Sequence, residues 1–225
     1  MNDLPDKDWK DYGHSTVKGA LNLIPLAGGA LSVAFETIFT APLDKRKEEW
    51  LKNLATAIDE LYVKVDGLTP EKLSSNQEFI TAVLEASNIA VRSHHTERLS
   101  ALKSAVKNTV IRTDLNESKK MIFIRVVGEM TPLHFQVLHF LSHPGAYIDK
   151  LNSKQRSIQT HWGDLQNVWN KTFSEIKSDD PIITLAIKDL HNYGFIRIDE
   201  FYKASMESVA TSLGKEFAEF IGADV

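Results

Sequence analysis

With 225 residues, the chain suits one large domain or two small ones and is long enough to bury a core without covalent staples. It contains no cysteine, which excludes a disulfide framework, thiolate zinc sites and a cysteine nucleophile, and which fits a reducing compartment. A formal net charge of −4, with 43% hydrophobic and 25% charged residues, is an ordinary globular balance and carries no global basic signature for nucleic acid.

The first stretch, MNDLPDKDWKDYGHSTVKG, is acidic where a secretory signal needs positive charge. Asp3, Asp6, Asp8 and Asp11 also argue against a mitochondrial presequence. A cytoplasmic protein is therefore expected, with attachment at the inner face of a membrane as the further option. Residues 1–15 read as a polar leader that Trp9 and Tyr12 would dock. Between Lys18 and Asp44 only Glu36 is ionisable. Gly19 to Phe35 gives a long uncharged run, and the apolar character resumes after Glu36 as far as Leu43. That length approaches the roughly 20 apolar residues a bilayer-spanning helix needs. Its composition is poor for insertion, because Ala27, Gly28, Gly29, Ala30, Ser32 and Ala34 contribute little and Asn22, Glu36 and Thr40 oppose it. Small residues instead let helices approach closely. Two readings stay open: a buried bundle helix at rest, and a segment that enters a bilayer or joins copies when exposed. Leu26, Ala30, Val33, Glu36 and Ile38 are the candidate membrane or partner residues of this segment.

After it, Trp50, Leu51, Leu54, Ile58, Leu61, Tyr62 and Val65 recur at spacings of three and four, the signature of an amphipathic helix with Asp44 as its cap and Gly67 at its end. Thr69-Pro70 reopens a short helix. SNQE at Ser75 to Glu78 reads as a capping box with Ser75 as cap. Phe79, Ile80, Val83, Ala86 and Ala90 give the next apolar face, and RSHHTE interrupts it. Leu99, Leu102, Val106, Thr109 and Val110 predict a further helix. Asn116 is expected to cap the one after, whose face is Ile122, Phe123, Val126, Val127 and Met130. Thr131-Pro132 opens a helix through Leu133, Val137, Leu138 and Leu141 that stops at His143-Pro144-Gly145.

Residues 144–163 are polar and poorly periodic, which predicts a linker between a helical bundle over 16–143 and a C-terminal module over 164–225. In that module Leu165, Val168, Trp169, Phe173 and Ile176 return to helical spacing. SDDP at Ser178 to Pro181 is an acidic cap followed by proline at the first helical position. Ile182, Ile183, Leu185, Ala186, Leu190 and Tyr193 follow, with Gly194 just past the end. FIRI at Phe195 to Ile198 alternates like a strand, YKASMESVA would pair with it, and Thr211 caps a final helix carrying Leu213, Phe217, Phe220 and Ile221. The expected fold is mainly α: a helical bundle with a buried apolar N-terminal helix, ending in a winged-helix-like module with one small β-hairpin.

No GxSxG, Walker A loop or GxGxxG occurs, and Asp179-Asp180, the paired carboxylates before Pro181, are better explained as a helix cap. No catalytic residue and no cofactor is assigned, and the expectation is a protein that is not an enzyme. His139 and His143 share a helix face at i, i+4, with His134 upstream, but no third ligand is placed beside them, so no metal is assigned. For DNA, the second helix of a winged module should offer cations to the major groove. Here it offers Lys188, His191 and Asn192 behind a doubly acidic cap that repels phosphate, which disfavours nucleic acid. A basic contact face is expected from Arg92, Arg98, Lys103, Lys107 and Arg112, facing a partner or anionic lipid. Its opposite number is the acidic end of the chain after Asp199.

Three stretches together carry a resemblance: the Gly-rich PLAGG segment before a charged helix, NQEFITAVLEASNIAVRSHHTERLSALKSAVKNTV, and AIKDLHNYGFIRI with TSLGKEFAEFI. They resemble poorly characterised bacterial helical proteins with a C-terminal winged-helix-like module, and more distantly the Abi-alpha type linked to abortive infection. The resemblance covers residues 16–222 and implies a bacterial effector that acts by protein contact or self-association, at the membrane, in phage defence. It transfers no catalytic residue. The alternative reading is a winged-helix DNA-binding regulator.

Overall fold

A computed structural model of the chain describes residues 45–150, 164–205 and 207–223. The protein is mainly helical, with ten α-helices among the described residues. It divides into two compact units, Met1–Gly128 and Glu129–Val225.

In the first unit, α1 (Lys45–Lys64) buries Trp50, Leu51, Leu54, Ala57, Ile58 and Leu61 along one stripe, as its three-and-four spacing dictates. The chain turns at Gly67, whose φ of 67° suits a residue without a Cβ. Thr69 and Pro70 then open α2 (Pro70–Ser75), with the Thr69 hydroxyl accepting from the Lys72 amide. The cap of α3 (Gln77–Ala90) is Asn76, not Ser75: the Asn76 carbonyl oxygen accepts from the Phe79 amide at 3.0 Å. Ser75 is still inside α2, where its hydroxyl donates back to the Lys72 carbonyl. Both α1 and α3 pack on α4 (Thr96–Ile111). The Trp50 indole N–H donates to Ser87 Oγ at 2.8 Å in the buried seam of α1 and α3.

Asn116 caps α5 (Glu117–Glu129), accepting from the Lys119 amide at 2.8 Å. One turn in, the Lys120 side chain is almost wholly buried. Its ammonium donates to the Thr109 carbonyl of α4 at 2.9 Å. It also lies 2.9 Å from Glu78 Oε1 of α3, close enough for Coulombic pairing but outside hydrogen-bond geometry. Lys120 is thus a buried tie between three helices. Burying it is tolerable because both a charge partner and a directed acceptor are present.

In the second unit, α6 (Pro132–Ser142) packs on α9 (Pro181–Asn192). Residues 144–150, expected as linker, instead form α7 (Pro144–Lys150), which packs on α8 (Asp164–Thr172). The reason is aromatic. Tyr147 lies 4.9 Å from Phe140 and 5.6 Å from Phe173, centroid to centroid, so one turn of helix gains an apolar anchor that a sparse pattern conceals. Trp169 completes this cluster, 4.4 Å from Phe173 and 5.2 Å from Phe140.

The turn between α8 and α9 is stitched by side chains. Trp169 Nε1 donates to the Ile176 carbonyl at 2.8 Å. Asn170 brackets Ser178, accepting from its amide and donating to its hydroxyl. Asp180 then caps α9 by accepting from the Ile182 amide at 2.9 Å, and Gly194 takes the left-handed φ of 76° after the helix ends.

The expected β-hairpin is corrected. Ile196 and Ala210 form a single antiparallel bridge, and the described residues contain no strand. Two effects stop the ladder. Residues Phe201–Lys203 turn into a 3-10 helix that stacks Phe201 on Phe140 at 6.0 Å. The carbonyls of Ala210 and Ser208 are taken by the Arg197 guanidinium, at 3.0 and 2.6 Å. Among the described residues the pairing stops at this one bridge, which does not make the expected wing. The unit closes with α10 (Ser212–Phe220), capped by Thr211, whose hydroxyl accepts from the Gly214 amide at 2.9 Å.

Candidate interaction surface

Leu26, Ala30, Val33, Glu36 and Ile38 lie outside the described residues. Among the described residues, no helix is long and apolar enough to cross a membrane.

Of the predicted basic face, Lys103, Lys107 and Arg112 pair with acids inside the first unit. Lys103 reaches Glu60 Oε1 at 2.8 Å, and Lys107 bonds to the other oxygen of the same carboxylate. Hydrogen bonds from Lys103 and Lys107 hold the Glu60 carboxyl down from the ordinary 4.5 to about 2. Arg112 forks onto Asp114, with Nε at 2.8 Å and Nη2 at 2.7 Å, and holds that carboxyl at about 2 as well. Arg98 is half-buried, and desolvation lowers its pKa. Arg92 is exposed beyond the end of α3. Two of the five, Lys103 and Lys107, form a clamp between α1 and α4.

Histidines divide by role. His134 Nδ1 accepts from the Thr131 amide at 3.1 Å and lies 2.8 Å from the Thr131 hydroxyl, so its other nitrogen carries the proton and points to Asp189 Oδ2 at 3.2 Å. Hydroxyl, imidazole and carboxylate in a row resemble a catalytic triad in outline. Yet the imidazole lone pair is already engaged by a backbone N–H, and the ring sits at the third helical position with Thr131 as cap, so the row is a capping box that docks α6 on α9. Sequence reading missed this role. The available signal was Thr131-Pro132 followed by a polar ring at the third helical position. His139 Nδ1 contacts the Tyr147 hydroxyl at 2.7 Å, and the His143 ring lies tilted against the His139 ring at 5.1 Å between centroids. Both border an open groove of about 280 Å³ lined by Phe135, Leu138, Ala218 and Ile221. Among the described residues no group of three or more His, Asp and Glu gathers at metal-binding distance.

The surface with the clearest character is the outer side of α9. Its inner side buries Ile183, Ala186, Ile187 and Leu190 at 0–1% exposure. Two further members of the same apolar series point outward: Ile182 is 48% exposed and Leu185 57%. Their one-turn spacing places them together on the helix surface. Lys188, one turn on from Leu185, is exposed too, and Asp179, also exposed, lies in the turn before the helix. Asp180 is committed to its cap and Asp189 to His134. The helix that a DNA-binding module would fill with cations therefore presents two aliphatic side chains and one exposed cation, Lys188, on its outer side.

Compared with known proteins, the chain matches no family model, no curated protein and no solved structure.

Proposed function

We propose that the protein is a non-enzymatic interaction protein that works by contact, of the defence-related effector type that its resemblance to bacterial abortive-infection proteins implies. The observation that carries this reading is the outward pair Ile182 and Leu185 on α9. Solvent-facing aliphatic residues on a regular helix are costly to keep in water and give a partner apolar area to cover. The membrane part of the reading rests on residues 19–43, with their single charge at Glu36. The basic face lends it less, because Lys103, Lys107 and Arg112 are paired within the unit.

The alternative, a DNA-binding regulator, is less well supported. Lys188 is one exposed cation on α9 behind Asp179 and Asp180, and a single phosphate contact gives little affinity at physiological salt.

Expression in a bacterial host followed by phage plating tests the reading. The wild-type chain should lower plaque number, and Leu185→Asp should restore it in a protein that keeps its helical circular dichroism. Sedimentation with anionic vesicles should fall when Ala30 and Val33 are both replaced by Asp. A chain that leaves plating unchanged, and that shifts duplex DNA in a manner abolished by Lys188→Glu, belongs to the regulator class instead.

A further inference from the structure

We infer that His134 is a proton-operated switch within the second unit: neutral, it caps α6, and protonated, it gives up the cap and is clasped to α9 by Asp189. The inference stands apart from the contact reading above and needs no partner.

The device follows from how each ring nitrogen is used. Thr131, the cap residue of α6, offers its backbone N–H to His134 Nδ1 at 3.1 Å. Among the described residues that nitrogen is the only acceptor of this amide, and Thr131 is otherwise exposed. An N–H can only donate, so Nδ1 fills this role only while it keeps its lone pair. A neutral imidazole has one such nitrogen, and its proton then sits on Nε2, 3.2 Å from Asp189 Oδ2. A second proton can enter only at Nδ1. There it confronts the Thr131 amide donor to donor, and that hydrogen bond is lost.

The same row can hold the ring once it is charged. The Thr131 hydroxyl lies 2.8 Å from Nδ1, and a hydroxyl can turn from donor to acceptor. The imidazolium therefore keeps a partner on its cap side. On the other side, the Nε2 bond to the Asp189 carboxylate becomes charge-assisted. The His134 side chain is 11% exposed and that of Asp189 38%, so solvent screens the pair only in part. Protonation thus trades a bond within the first turn of α6 for a stronger one between α6 and α9.

The neighbouring titratable groups have other partners. Among the described residues, Thr131 and Asp189 are the hydrogen-bond and ion-pair partners of the His134 ring. Tyr193, one turn past Asp189 on α9, donates to Glu129 Oε2 at 2.8 Å, and its phenol is pushed up to about 12. His191 Nδ1 lies 3.2 Å from the Ile196 carbonyl. Lys188 is exposed on the outer side of α9.

Nuclear magnetic resonance of the full chain tests the switch across the histidine range, from about pH 8 to about pH 5. In the wild type, protection of the Thr131 amide, corrected for intrinsic exchange, should fall by about 5-fold, in step with the titration of the His134 ring protons. His134→Gln keeps a side-chain acceptor at the third helical position and takes up no proton, so its Thr131 amide should hold its protection throughout. Urea unfolding of wild type, His134→Gln, Asp189→Asn and the double variant isolates the clasp. The coupling between the two positions, as a factor in the unfolding constant, should be about 5-fold larger at the acid end. A Thr131 amide equally protected at both ends, or one that loses protection equally in His134→Gln, overturns the proposal, and so does a coupling that does not grow in acid. The first comparison uses the wild type alone, so it decides even where a variant fails to fold.

Discussion

Gly214 lies so close to Phe195 that a Cβ added to it would stand 2.1 Å from the Phe195 carbonyl oxygen. Backbone meets backbone here, so the contact has no flexible side chain to yield. The approach is what lets the Thr211 amide donate to the same carbonyl at 2.9 Å, while the Thr211 hydroxyl donates to the Gly194 carbonyl at 2.6 Å. Gly214→Ala should therefore lift α10 from its seat and destabilise the second unit by about 3 kcal/mol. Thermal unfolding followed by circular dichroism measures this. A midpoint equal to wild type would show that α10 is not held against Phe195 as described.

Ser87 answers the Trp50 indole inside the first unit, where both residues are buried. Ser87→Ala removes the acceptor and leaves the indole N–H without one. The expected cost is about 1–3 kcal/mol, mostly the desolvation penalty of the orphaned donor. Trp50→Phe in the Ser87→Ala background should recover part of it, since no polar group is then stranded. Urea unfolding of the two variants reads the difference.

Acid should loosen the junction of α1 and α4. In the folded chain, bonds from Lys103 and Lys107 depress the Glu60 carboxyl from 4.5 to about 2. A depressed carboxylate adds stability that is fully present above its unfolded value and is lost as pH falls through its folded one. Stability should therefore decline between about pH 4.5 and pH 2, and Glu60→Gln should remove that part of the decline. The carboxylate is about one-third exposed, so solvent screening keeps the contribution below about 1 kcal/mol. Denaturant midpoints for the two proteins, compared across this acid range, give the measurement.

Alkali acts on the second unit. Burial pushes the Tyr193 phenol up to about 12, helped by its hydrogen bond to Glu129 Oε2 at 2.8 Å. A raised phenol stabilises the fold while protonated, so its contribution is intact below pH 10 and disappears as pH rises through about 12. Burial also raises the Tyr62 and Tyr147 phenols, so ultraviolet titration should show a late phase to which Tyr193 contributes, and Tyr193→Phe should shrink it by one tyrosine. A phase of unchanged size in the variant belongs to other tyrosines.

Much of the helical architecture is local and is therefore legible in the sequence. Thr69-Pro70, Asn116, Thr131-Pro132, Asp179-Asp180-Pro181 and Thr211 act within one turn of themselves, so spacing alone locates the helix starts they mark. The same holds for the stripe from Trp50 to Leu61. Ser75 and Asn76 compete for one cap, and the outcome depends on where the preceding helix stops. Helix α7 escaped a reading by periodicity because one aromatic, Tyr147, supplies its anchor.

The rest depends on what faces what. Sequence by itself determined that the chain is helical, where most of its helices begin, and that one apolar segment and one basic stretch stand out from the remainder. Tertiary structure decided that Lys103 and Lys107 share Glu60, that Lys120 is buried beside Thr109 and Glu78, and that His134 docks on Asp189. It also decided that Ile182 and Leu185, members of an apolar series like any other, point to solvent. The physical reason is that a helix's own period ranks its faces only relative to one another. Whether a charge meets a partner, or an aliphatic side chain meets water, is set by residues tens of positions away that only packing brings alongside.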